Sequence, residues 1–379
     1  MSAVITVVQC VNNLDLGGLE RMVLTLARKL KDGRFRSVVC CIEDRGTLAE
    51  QAEREGIEVR ALEMEQRGKW NALRGLGAIL RERRPNVIHS HNFKPFYYAA
   101  LTRMFGAADA HVHTRHGAFT RHHRAHWRYR WMRRWADELV TVSEDGRQQL
   151  ARSTGLPPDR IGVMANGVDT EQFKPVTDKV AVRKELGLPE RCLAVVVAAR
   201  LSPEKDLETL LRAFAIASRA HPDAELWIVG DGAERERLEL LSRELGLTSN
   251  TRFLGARSDV NRVLSSADVF ALSSVSEGLS IALIEAAASG LPIVATKVGG
   301  NAEIANPPAG GRLVAPRNPD AFAAALGELL ADPRARADMG RATRQRAVER
   351  FSLDQMASRY ANLYEKLLLH KRLDDRRGN

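Results

Sequence analysis

Val269-Phe270-Ala271-Leu272 is followed by Ser273-Ser274-Val275-Ser276-Glu277-Gly278-Leu279-Ser280 and then by Ile281-Ala282-Leu283-Ile284-Glu285-Ala286. An apolar run, a loop of small residues and a renewed apolar pattern predict a buried strand over 269–272 and a helix over 279–289. Glu277 falls where that helix should start. Glu285 comes eight residues later, ~12 Å along the axis and ~80° around it, so both carboxylates can border one groove. The helix start offers free N–H groups and the positive end of the dipole, a seat for phosphate. Carboxylates accept pairs of sugar hydroxyls. A diphosphate at the helix start, a ribose on one carboxylate and a sugar on the other would fit one extended nucleotide-sugar. A helix with an N-terminal Glu and an incidental second one fits the same spacing.

The strand-loop-helix pattern repeats outward in both directions. Leu193–Ala199 is a predicted strand, and Arg200-Leu201-Ser202-Pro203-Glu204-Lys205 follows it. There an arginine fork and a lysine point charge can hold a diphosphate. Gly230-Asp231-Gly232 ends the next strand, 225–229, and permits close approach of a ligand, or simply a turn. Strands are predicted at 251–253 and 293–295, the latter followed by Gly299-Gly300, and helices at 206–220, 233–245 and 319–331. Earlier in the chain the predicted strands are 4–11, 37–42, 57–62, 87–89, 111–114 and 139–142, with helices between them. Apolar strands alternating with helices imply parallel sheets covered on both faces. The pattern breaks near 165–190, giving an α/β fold of two doubly wound domains, 1–173 and 174–352, facing across a cleft. Residues 353–379 form a terminal helix crossing back to the first domain, plus a charged tail. Its apolar stripe is Leu353, Met356, Tyr360, Leu363 and Leu367.

The 379 residues are 44% hydrophobic and 27% charged, which excludes a disordered or collagen-like chain. Four cysteines are too few for a disulfide framework, and the apolar runs are too short to span a membrane. The first basic residue is Arg21, after the first apolar run, so no secretory leader is read and a cytoplasmic location is expected. The net charge is +10, and residues 103–134 alone carry eight Arg against one Asp. They also hold six of the ten His.

Taken together, several motifs resemble family 4 glycosyltransferases of the GT-B fold. They are Glu277…Glu285, Arg200…Lys205, Gly230-Asp231-Gly232, Gly255…Asp259-Val260…Ala267-Asp268-Val269-Phe270, Asn166-Gly167-Val168-Asp169…Phe173…Pro175 and Gly17-Gly18-Leu19-Glu20-Arg21. The resemblance runs from about residue 4 to 367, with Ser273 where many members have Pro. It implies a retaining transferase that moves a sugar from a nucleotide-sugar to a glycan or lipid-linked acceptor, in cell-surface polysaccharide or glycolipid synthesis. Glu285 would hold the ribose and Glu277 the transferred sugar. Arg200 and Lys205 would hold the diphosphate as its charge develops. Gly17, Gly18, Asn166, Gly230, Gly278, Leu279 and Ser280 would complete the donor site. No Asp-x-Asp occurs, so neither metal nor other cofactor is expected. His116, in Thr114-Arg115-His116-Gly117, matches the family histidine that faces the sugar; it would bond the sugar or assist the acceptor proton. His89 and His91 end a neighbouring strand, without carboxylate or thiol to complete a metal site.

Trp127, Trp131 and Trp135 recur every fourth residue among Arg124, Arg128, Arg130, Arg133 and Arg134. Two readings stay open: a helix lying on an anionic membrane surface or drawing an anionic acceptor, or tryptophans packed into the sheet beneath solvated arginines. A nucleotide-sugar epimerase on the same fold and an RNA- or polyanion-binding protein are the rivals. Sugar transfer accounts for the rest of the chain without nucleic acid.

Overall fold

The structure, a computed structural model, describes residues 4–378 except 16, 32, 105, 107 and 118–122, and omits the side chains of 123–126, 372 and 374–378. The chain forms two compact units, 1–166 with 353–379, and 167–352.

Unit 1 holds strands β1 Ile5–Val11, β2 Phe35–Cys41, β3 Glu58–Ala61, β4 Val87–His91, β5 Ala110–Arg115, β6 Glu138–Thr141 and β7 Gly162–Val163. They pair in the order β3-β2-β1-β4-β5-β6-β7. Every pairing is parallel. Val8, Cys10, Val38, Cys40 and Ile88 of the sheet pack with Ala72, Leu76 and Leu80 of helix Lys69–Arg83. Unit 2 holds β8 Leu193–Ala198, β9 Ala224–Val229, β10 Thr251–Gly255, β11 Val269–Leu272, β12 Ile293–Thr296 and β13 Gly311–Val314, in the order β10-β9-β8-β11-β12-β13. These are also all parallel. In both sheets the order reverses beside the first strand, between β1 and β4 and between β8 and β11. A doubly wound sheet opens a crevice at that point, beyond the carboxyl ends of its strands.

The expected boundary at 173/174 falls instead at 166/167, because residues 167–173 are bonded into unit 2. Val168 N–H donates to the Phe351 carbonyl at 2.9 Å. The Arg344 guanidinium donates to the carbonyls of Thr170 and Phe173 at 2.8 and 2.9 Å. The terminal helix, Leu353–Gly378, belongs to unit 1. Its inward face is Met356, Tyr360, Tyr364 and Leu368, one position later than the predicted stripe at Leu363 and Leu367, both half-buried. Lys29–Asp354, Arg34–Glu365 and Lys371–Asp137 pair along its flanks at 2.7, 3.1 and 2.6 Å. Among the described residues no helix is long and apolar enough to cross a membrane.

Candidate active site

In unit 2 the crevice between β8 and β11 gathers the predicted residues. The loop after β8 carries exposed Arg200 and brings Lys205 to Glu277, Nζ to Oε1 at 2.7 Å. The Ser274 hydroxyl donates to the same Oε1 at 2.7 Å. Ser273, fully buried, donates to the Lys205 and Asp206 carbonyls at 3.0 and 2.8 Å and so fixes the loop that bears the lysine. Ser274 is in turn held through its carbonyl by the Thr296 hydroxyl at the end of β12. Two opposite charges are thus locked together, with only one oxygen of Glu277 engaged by these partners.

The helix here is Ile281–Ala288, not 279–289. Ser280 ends it on the N-terminal side, its hydroxyl accepting the Leu283 N–H at 3.3 Å. Glu277 therefore lies in the loop, and helical spacing does not set its relation to Glu285, which is half-buried on the helix. Gly278 lies beside Glu277 in the loop, and Leu279 and Ser280 are buried at its end. Gly299 keeps the loop in place: at φ 51° a side chain there would collide with the Glu277 and Gly278 backbone. Gly230 serves the neighbouring loop. Its φ is 128°, and a Cβ would strike the Ala199 carbonyl, so its small size closes protein against protein. Asp268, part of the matched motif, is architectural: it accepts from Arg183, Lys179 and the Ala194 N–H at 2.8, 3.0 and 2.9 Å.

In unit 1, Gly17 precedes helix Gly18–Lys29 in an extended conformation open to any residue, and the Glu20 carboxylate occupies the space a Cβ would take. Asn166, buried, ends the unit's first segment. The histidines form a buried relay. His89 bonds Tyr364 and Thr114 at 2.6 and 2.7 Å. His91 bonds Gln9 and His116 at 2.8 and 2.9 Å. Ser90 bonds His111 and His113, and His113 bonds Tyr129, at 2.9–3.1 Å. Burial disfavours the imidazolium throughout. It lowers His91 to about 3 and His111 to about 4, and it holds His89, His113 and His116 well below the ordinary range, neighbouring histidines adding to the effect. The nitrogens of His89 and His91 are spent on hydrogen bonds. Gln9, Tyr360 and Tyr364, which complete the relay, were missed. A periodicity of four in the last helix was the only trace of the two tyrosines.

Helix His123–Met132 turns Tyr129 and Met132 inward and leaves Trp127 and Trp131 61% and 41% exposed. The reading in which these two pack into the sheet is thereby overturned, because the core face of the helix is already filled. The Arg128 guanidinium sits 5.7 Å over the Trp127 ring, and half-buried Trp135 lies 4.4 Å from Trp131, centre to centre. Arg134 is exposed; the side chain of Arg124 lies outside the described residues.

Residues 178–346 match the family model described as Glycosyl transferases group 1, and residues 16–172 match that of Glycosyltransferase Family 4. A D-inositol 3-phosphate glycosyltransferase of Corynebacterium kroppenstedtii is 34% identical over 241 residues, 61% of this chain and 53% of the relative. The chain thus spans about half the length of that relative. The UDP-Gal:alpha-D-GlcNAc-diphosphoundecaprenol alpha-1,3-galactosyltransferase of Escherichia coli is 26% identical over 79% of this chain and 80% of its own. Anabaena HepE, solved in complex with UDP, matches with a TM-score of 0.84 at 20% identity over 96% of this chain and 100% of its own, a likeness of fold.

Proposed function

The chain belongs to the family 4 glycosyltransferases, with the GT-B fold of two Rossmann-like units, and from that premise we propose that it transfers a sugar, with retention, from a nucleotide-sugar to a glycan or lipid-linked acceptor. The observation that carries this is the locked Lys205–Glu277 pair at the crevice of unit 2. Arg200 and Lys205 meet the diphosphate together with the amides of Gly278, Leu279 and Ser280 near the helix start. The unengaged Glu277 oxygen accepts hydroxyls of the transferred sugar, and Glu285 accepts those of the ribose. Gly17, Gly18 and Asn166 offer backbone groups to the donor, and Gly230 shapes the loop after β9. His116 serves the sugar or the incoming hydroxyl. These cations stabilise the departing diphosphate without a metal.

The acceptor is lipid-linked, in cell-surface glycan synthesis, and is met at the cytoplasmic face of an anionic membrane. Exposed Trp127 and Trp131 among arginines support this, as does the diphosphoundecaprenol substrate named for the E. coli relative. A thermal-shift panel of UDP-, GDP- and ADP-sugars tests the donor. One member should stabilise the protein, and Glu285→Ala or Lys205→Ala should abolish that shift in a folded chain. Donor altered without acceptor would favour the epimerase, and an inverted product anomer would exclude retention. Flotation with anionic vesicles tests the surface: no binding, or equal binding after Trp127→Ala with Trp131→Ala, removes it.

A further inference from the structure

Gln9 on β1, His91 on β4 and His116 after β5 form a hydrogen-bonded line across three adjacent strands. Its sense follows from the inventory of donors. With the Gln9 side-chain amide turned so that Oε1 lies 2.8 Å from His91 Nε2, that oxygen accepts and His91 carries its hydrogen on Nε2. A neutral imidazole has one N–H, and burial keeps this ring neutral. Its Nδ1 is therefore bare. That nitrogen lies 2.9 Å from His116 Nε2, which must supply the hydrogen between them. His116 is held in place once more, through its backbone. Its backbone N–H donates to Asn92 Oδ1 at 3.1 Å, and Asn92 itself takes a left-handed φ of 65°. The His89 ring lies 4.0 Å from that of His91, with its own nitrogens on Tyr364 and Thr114. Among the described residues no partner takes His116 Nδ1.

We propose that His91, oriented by Gln9, is a positioning residue that fixes His116 as the Nε2–H tautomer and leaves Nδ1 a bare acceptor. A histidine so held receives the hydrogen of a hydroxyl. The opposite tautomer would donate to an oxygen and suit a carbonyl or phosphate instead. The relay thus selects a hydroxyl-bearing group at that nitrogen. It rests on the proposed place of His116 in the site.

Two-bond 1H–15N correlation on the full-length, 15N-histidine-labelled protein reads the tautomer directly and needs no substrate. The expected spectrum has His116 protonated on Nε2 and bare on Nδ1. In His91→Leu the Nε2–H signature should be lost to a mixture of tautomers. His91→Asn, whose side-chain oxygen can stand where Nδ1 stood, should restore it. A wild-type Nδ1–H, or an unchanged tautomer in His91→Leu, overturns the proposal. The wild-type spectrum decides even if a variant does not fold. The nucleotide-sugar panel is blind to this signature, so a failed donor assignment and a failed relay are told apart.

Discussion

The two sheets share a winding order but differ in where they keep their polar groups. In unit 2 the central strands β8 and β11 are apolar, and the ionic groups of the candidate site follow their carboxyl ends. In unit 1 the central strands β4 and β5 are themselves polar: His89, Ser90, His91, His111, His113 and Thr114 are all fully buried. A rim of charge can be altered without disturbing the packing beneath it. A polar core cannot, because each buried group left unpaired costs about 1–3 kcal/mol.

The largest expected effect sets one unit against the other with acid. Burial lowers the five relay histidines of unit 1, with His91 at about 3 and His111 at about 4, whereas an unfolded chain titrates near pH ~6.5. As pH falls below ~6.5 the unfolded state binds protons that the fold refuses. Unit 1 should then lose stability progressively as the pH falls toward the folded values. In unit 2 arginine partners lower Asp259 and Glu208, and the Ser202 hydroxyl lowers Glu204; their contribution disappears only through the carboxylate range. Proteolysis across pH 7.5–4.5 should open unit 1 first; cleavage of both units together would break the contrast.

Unit 2 also holds a deep ionic group at Asp268. Asp268→Asn should cost about 3–5 kcal/mol in urea unfolding, since Arg183, 5% exposed, would lose its partner. At the site, Lys205→Ala should lower transfer about 10²–10³-fold and also lower the melting temperature, since Glu277, its side chain 10% exposed, would lose its cation. Ser273→Ala should cost about 1 kcal/mol and weaken donor binding, through release of the Lys205 loop. Chelation with EDTA should leave transfer unchanged, because the rim supplies the cations; a loss restored by a divalent metal would overturn that.

Much of this plan was legible in the residues. The α/β class and the strand at 269–272 follow from apolar runs of strand length, and the helix over 319–331 has its observed bounds. Glu277 was misplaced because the apolar pattern is continuous past Ser280, whose cap ends the helix sooner. Helix Pro333–Arg350 was missed because it is charged nearly all round; only Met339, Gly340, Thr343 and Ala347 turn inward. Strand β7 is two residues long, too short for periodicity to show, and β13, Gly311-Arg312-Leu313-Val314, has only two large apolar residues. Ser274 and Gln9 carry no pattern at all: their partners are distant in sequence, and only the fold brings them together.

The terminal helix has a consequence for synthesis. Unit 1 is interrupted at 166 and completed from 353, so the whole of unit 2 is made while unit 1 still lacks a layer. Until Tyr360 and Tyr364 leave the ribosome, Thr114 and His89 have each other but lack the two phenol hydroxyls of the finished fold. The first unit begun is therefore the last one finished, and a nascent chain reaches its histidine core only after its second unit is already in being.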